Sequence, residues 1–244
     1  AGGSTASVNE PVAVEDLAGA LRLGDHELVS LVGGGGKTTA LFALGRQLAG
    51  RVVLTTTTKM GSERTDGVPL LIDPSDGELS AATAQDQPAL VWRSVSGHKA
   101  VGVDRKSCNR WFALVDHVVV EADGARRRPL TAPGPFEPVV PSGTTALIAC
   151  VGSSAFTRVI ADRCHRPLRV AAVAGCSPYQ RLTPERLARV LLSDRGLRKD
   201  LPEGARFSIL VSDVAESDRP YLGDLVEAID GRAHVVAVAH ERDA

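Results

Sequence analysis

Short runs of consecutive apolar residues, more than strict alternation, carry the β-signal in this chain. Leu28–Val32, Arg51–Thr55, His117–Val120, Thr145–Val151, Phe207–Val211 and His234–Val238 are such runs. A strand covered by helices on both faces has no polar face to alternate with. Helical spacing predicts a short helix over Val12–Leu23, with Glu15 and Asp16 in its first turn and Val14, Leu17, Ala18 and Leu21 on one side. Further helices are predicted at Lys37–Leu48, which Gly50 ends, at Pro184–Leu192 behind Thr183 as N-cap, and at Arg219–Ile229. Strands alternating with helices imply right-handed βαβ units: an α/β fold with a mostly parallel sheet flanked by helices.

Gly61 to Arg105 breaks this rhythm. A strand is expected at Val68–Ile72, a helix near Gly77–Ala84, and strands at Ala89–Val95 and Ala100–Val103 joined through Ser96-Gly97-His98 as a hairpin. Residues 61–105 are therefore read as a small β-containing insertion at one edge of the sheet. Pro133 and Pro135 exclude a regular helix from Pro129–Pro141, which is read as a loop. The 244 residues suit one domain, 1–244, with residues 1–11 expected as a disordered leader. Ala1–Ser7 lacks the charged and apolar regions of a signal peptide.

Composition narrows the function classes. Aromatic residues are only 4% of the chain, so the core must come from Val, Leu, Ile and Ala. A net charge of −1 offers no bulk attraction to nucleic acid or a membrane surface. No apolar run approaches the roughly 20 residues that a membrane helix needs. Cys108, Cys150, Cys164 and Cys176 form no C-x-x-C pair and are read as reduced thiols of a cytoplasmic protein. Cys164 and His165 make a poor metal pair, because adjacent residues rarely both reach one ion.

The chemistry concentrates where the first strand ends, in Gly33-Gly34-Gly35-Gly36-Lys37-Thr38-Thr39. Glycines permit the positive φ angles that make successive N–H groups converge on an anion. The helix beginning at Lys37 adds unpaired N–H groups and partial positive charge. Lys37 can reach β- and γ-phosphate oxygens, and Thr38 can ligate magnesium. This is the P-loop pattern, and it predicts ATP or GTP with Mg2+. The common form, G-x-x-x-x-G-K-[ST], has glycine where this chain has Leu31. The shorter G-x-x-G-K-T-T form resembles the loops of Mur-type ligases and of deviant Walker A ATPases, although Val32 stands where the latter carry a signature lysine.

A magnesium site also needs a carboxylate from a neighbouring strand. Asp116–Gly124 supplies Glu121 and Asp123 at a strand's carboxyl end, where α/β sheets bind ligands. Glu121 and Gly124 have the spacing of the GTPase D-x-x-G switch, with Glu replacing Asp. One acid is expected near the metal and the other orienting water. Thr55–Thr58 offers hydroxyls to a γ-phosphate or metal shell, with Thr57 and Thr58 as candidates, and Lys59 can neutralise transition-state charge. Arg126 or its neighbours Arg127 and Arg128 can clamp phosphate bidentately.

Taken together, Val32–Thr39 (VGGGGKTT), Leu54–Met60 (LTTTTKM), Glu121–Pro133 (EADGARRRPLTAP), Glu137–Pro141 (EPVVP) and His165–Pro167 (HRP) resemble the YqeC family, accessory proteins of selenium-dependent molybdenum hydroxylases. The resemblance implies a P-loop NTPase that assists cofactor or selenium maturation, with a molybdenum hydroxylase or its cofactor-assembly proteins as partners. It also implies that Thr57, Thr58, Lys59, Glu121, Asp123 and Arg126 share one site with Glu137, His165 and Arg166, the last three beside a second substrate. The chain departs from the family at Ala125 and Thr131, and Ser212 precedes Asp213 where a guanine-reading asparagine motif often stands.

Three functions compete on these residues. The leading expectation is a slow NTPase or nucleotide-gated chaperone. A kinase or Mur-like ligase would instead bind an acceptor with Arg126–Arg128 and the insertion, on the nucleotide edge of the sheet. A non-catalytic sensor would bind nucleotide without turnover. Homodimerisation is expected only by analogy with NTPases that complete their sites across an interface.

Overall fold

The computed structural model describes residues 10–240; residues 1–9 of the expected leader lie outside them. Val12 is extended, exchanging backbone hydrogen bonds with Ala237 and Ala239. After a 3-10 turn at Val14–Asp16 comes α1 (Leu17–Ala20), which ends before Arg22 turns left-handed. The single helix expected over Val12–Leu23 is thus shorter, because Val12 is drawn to the sheet edge.

Then follow β1 (Glu27–Gly33), α2 (Lys37–Gln47), β2 (Val52–Thr56), β3 (Lys59–Gly61), β4 (Leu70–Ile72), α3 (Asp76–Thr83), β5 (Ala89–Trp92), β6 (Ser94–Ser96), β7 (Lys99–Val101), α4 (Arg105–Phe112) and β8 (His117–Glu121). The second half holds β9 (Leu130–Thr131), β10 (Ala146–Gly152), α5 (Ile160–Arg163), β11 (Cys164–His165), α6 (Pro167–Ala174), α7 (Pro184–Leu192), β12 (Arg206–Val214), α8 (Arg219–Ile229) and β13 (His234–Ala239).

Eight strands form one sheet in the order β13-β12-β10-β1-β8-β2-β5-β4, and every neighbouring pair is parallel. Its central strands are buried throughout, as the apolar runs predict. Leu28 and Val32 of β1 enter one core cluster, with Trp111, Leu187 and Leu225 of α4, α7 and α8. Val29 and Leu31 enter the other, with Leu17 of α1 and Leu41, Phe42 and Leu44 of α2. The period of two divides one apolar strand between two helical layers. The four cysteines are unpaired, and burial pushes Cys108, Cys150 and Cys164 up to about 12, so they stay protonated thiols at neutral pH.

Residues 61–105 are more than an insertion, since β4 and β5 extend the main sheet. The expected strand Ala89–Val95 divides at Arg93. Its buried first part is β5, whereas exposed β6 turns into a small antiparallel ribbon, β3-β7-β6. The hairpin at Gly97-His98 forms as expected. The unpredicted α4 buries only Cys108 and Trp111, too few apolar positions to register as periodicity. The loop expected over Pro129–Pro141 contains β9, which pairs with β11.

Leu31 occupies the position that is glycine in the longer phosphate-loop pattern, and here it is a fully buried strand residue beneath α2. Leu31→Gly is expected to lower unfolding free energy by about 3–5 kcal/mol, from the cavity it leaves and the added backbone freedom. Urea titration of both proteins checks this; a loss below about 1 kcal/mol contradicts it.

Candidate functional site

The carboxyl ends of β1, β8, β10 and β12 surround the glycine turn between β1 and α2. Gly34 N–H donates to the Cys150 carbonyl at 2.9 Å, and Gly35 N–H to the Arg128 carbonyl at 3.1 Å. Gly35 has φ of 53°, and a Cβ there would lie 2.3 Å from the Gly152 nitrogen. The turn is therefore gripped from two sides, and a side chain there would force the backbones apart. Gly36 is the left-handed N-cap of α2. The N–H groups of the first helical turn have no intrahelical acceptor, and no side chain caps them.

Asp123 is buried against this turn. Its two carboxylate oxygens accept from Gly33 N–H at 3.0 and 2.8 Å, and Lys37 Nζ lies 3.1 Å from Oδ1. Lys37 Nζ also donates to the Gly33 carbonyl. Burial alone would lower the lysine pKa, but the Asp123 and Glu121 charges outweigh it and hold the ammonium above its ordinary value. Glu121, level with Leu31 in the β1–β8 register, accepts from the Thr38 hydroxyl at 3.0 Å. Burial pushes its carboxyl above the usual range, against the pull of Lys37 and Thr38. One hydroxyl and one carboxylate make a donor set that fits a small hard cation completed by water and phosphate oxygens. Among the described residues, no three His, Cys, Asp or Glu side chains gather as a metal cluster.

Two cavities meet over Gly35, Gly36, Thr39 and Arg127. The first, about 690 Å³, is bordered by Val14, Leu17, Leu210 and Val238, with Ser212, Asp213 and His240 at its polar end. Asp213 is left-handed where the β12–β13 register shifts, and its carboxylate pairs with His240. The second cavity, about 570 Å³, is lined by Lys37, Thr38, Glu121 and Arg126 together with Lys59 and Lys99 of the ribbon. Arg126 and Arg127 are both left-handed, with φ of 50° and 59°. Each such non-glycine residue costs about 1 kcal/mol or more, and strain of this kind collects at functional sites.

The structure brings together Gly33–Thr39, Lys59, Glu121, Asp123 and Arg126. Thr57 adjoins the site through its backbone, its N–H donating to the Glu121 carbonyl at 3.1 Å, while the side chains of Thr57 and Thr58 take other partners. The Thr57 hydroxyl donates to the Val139 carbonyl at 2.8 Å, and the Thr58 carbonyl accepts from Gly102 N–H. Neither lines either of these two cavities; they tie neighbouring chain segments to the end of β2. Glu137, His165 and Arg166 gather with one another outside the linings of both cavities. Arg166 pairs with Glu137 at 2.5 Å, and His165 Nδ1 lies 3.2 Å from the Thr131 hydroxyl. Burial and the Arg166 and Arg126 charges hold the imidazole pKa low, hence neutral at pH 7. Sequence reasoning missed Arg64 and Lys99; the hairpin signal was visible, but not its pairing with β3.

The fold and cleft define a parallel α/β protein with a glycine turn delivering a helix N-terminus to the carboxyl ends of its strands. The chain belongs to the YqeC family: the family's model, described as YqeC protein, matches residues 29–168, from β1 into α6. It is 29% identical over 225 residues to the Escherichia coli (strain K12) protein called Uncharacterized protein YqeC, covering 83% of this chain and 85% of that one. No solved structure matches. Among the described residues, no helix is long and apolar enough to cross a membrane.

Glu121 connects the site to stability. Its folded-state pKa lies above the unfolded value, so the buried charge costs stability at pH 7. That cost disappears as pH falls below the ordinary carboxylate range, where both states are protonated. Glu121→Gln is expected to unfold at a higher urea midpoint than the native protein at pH 7, with the gap narrowing toward about pH 4. A lower midpoint at pH 7 contradicts the assignment.

Proposed function

We propose that the protein is a P-loop NTPase, binding ATP or GTP with Mg2+ over Gly33–Thr39 and hydrolysing it while assisting maturation of a molybdenum or selenium hydroxylase or its cofactor. The convergence of the uncapped α2 N-terminus, Lys37, Thr38 and Glu121 at one tightly packed turn carries the nucleotide part. Two of the three ammonium hydrogens of Lys37 serve Gly33 and Asp123, leaving one for a phosphate oxygen. Glu121 and Thr38 suit the metal, whereas Asp123 suits a clamp on the turn. The first cavity suits the nucleoside, with apolar walls for a base and polar groups at its far end. The maturation role rests on family resemblance.

Magnesium-dependent phosphate release from ATP and GTP should fall by about a hundredfold or more in Lys37→Ala, since the lysine stabilises charge on the transferring group. Circular dichroism verifies that the variant is folded, and equal rates sink the proposal. Calorimetry with non-hydrolysable ATP and GTP analogues identifies the base. The client is tested separately, by molybdenum hydroxylase activity in cells carrying native protein or Lys37→Ala. Activity should drop with the variant; unchanged activity removes the maturation role.

A further inference from the structure

The second cavity carries more positive charge than a magnesium–triphosphate uses. Seven basic side chains and two acidic ones line it, in a chain whose net charge is −1. Some of this charge is already matched: Lys37 faces Asp123, Arg127 pairs with Glu63 at 2.7 Å, and Arg64 pairs with Asp66 at 3.0 Å. Lys59, Lys99 and Arg126 form no ion pair within 4.0 Å and no side-chain hydrogen bond among the described residues, although Lys99 lies close enough to Glu63 to join its backbone hydrogen bond and Arg127 in holding that carboxyl low.

Their placement follows from the fold. In the antiparallel pairing of β3 with β7, Lys59 lies opposite Val101 and Lys99 opposite Gly61, so both lysines share one face of the ribbon. On the other face Met60 and Ala100 are buried in the core. The ribbon is thereby anchored with its cations along the cavity, and the left-handed backbone at Arg126 and Arg127 adds two guanidinium side chains.

We propose that the part of this cavity lined by Lys59, Lys99 and Arg126 is a second-substrate site for a small molecule bearing a phosphate monoester, held by those three cations beside the γ-phosphate position. The inference rests on the nucleotide reading above and extends it: the glycine turn, Lys37 and the metal pair serve the triphosphate, leaving the ribbon's cations for another anion. A dianionic phosphate matches this surplus better than a singly charged carboxylate.

The test uses the full chain saturated with Mg2+ and a non-hydrolysable triphosphate analogue, titrated calorimetrically with inorganic phosphate and, in parallel, with acetate. Filling the glycine-turn side of the cavity first leaves its Lys59, Lys99 and Arg126 side for phosphate. The native complex should bind phosphate more tightly than acetate. Lys59→Gln/Lys99→Gln/Arg126→Gln, all exposed positions, should weaken phosphate by about tenfold or more, the effect of losing even one charge-assisted hydrogen bond. Analogue affinity should change less than phosphate affinity. Phosphate affinity unmoved by the triple change, or acetate binding equally well, overturns this inference alone. Failure of the native protein to bind either analogue overturns the nucleotide reading and this inference with it.

Discussion

An ammonium or a carboxylate taken out of water by itself costs several kcal/mol, and Lys37 and Asp123 are both buried. They tolerate this because each answers the other at 3.1 Å while Gly33 N–H feeds both Asp123 oxygens and the Gly33 carbonyl accepts from the lysine. Removing any member leaves a buried polar group without its partner. The arrangement joins the end of β1, the segment after β8 and the start of α2, and so sets the shape of the glycine turn. Everything else in the cleft is arranged around that turn.

The strand order supplies the remaining parts. With β8 beside β1, Glu121 comes level with the base of the turn and within reach of Thr38. With β10 on the other side, its carbonyls and Gly152 press against Gly34 and Gly35. The two cavities then meet over one loop, one with apolar walls and one basic. Thr57 and Thr58 brace the end of β2, with Thr57 N–H donating to the Glu121 carbonyl and its hydroxyl to Val139.

Much of this fold was legible because local rules and tertiary structure agree. The apolar runs became buried parallel strands, and α7 and α8 appeared within their predicted spans. The signals failed where burial was partial or pairing distant. Arg105–Phe112 shows too little apolar surface to stand out, although Asp104 caps it. Pro167 and Gly175 do bracket a readable helix that periodicity alone missed. Ala89–Val95 looked like one strand because nothing local says that its first half joins the large sheet and its second half a ribbon.

The sequence alone determined the α/β class, the glycine turn and its lysine, and the acids at the end of β8, since each is written in contiguous residues with a local physical meaning. Tertiary structure decided what those residues face. Asp123 meets Gly33 across 90 positions of chain, and Lys59 joins Lys99 through a strand pairing between segments far apart in sequence. Hydrogen bonds and shared burial over such separations depend on sheet order and register, which no local pattern encodes. The glycine turn was therefore visible from the residues, while the basic lining it shares a cavity with emerged only when the chain closed around the cleft.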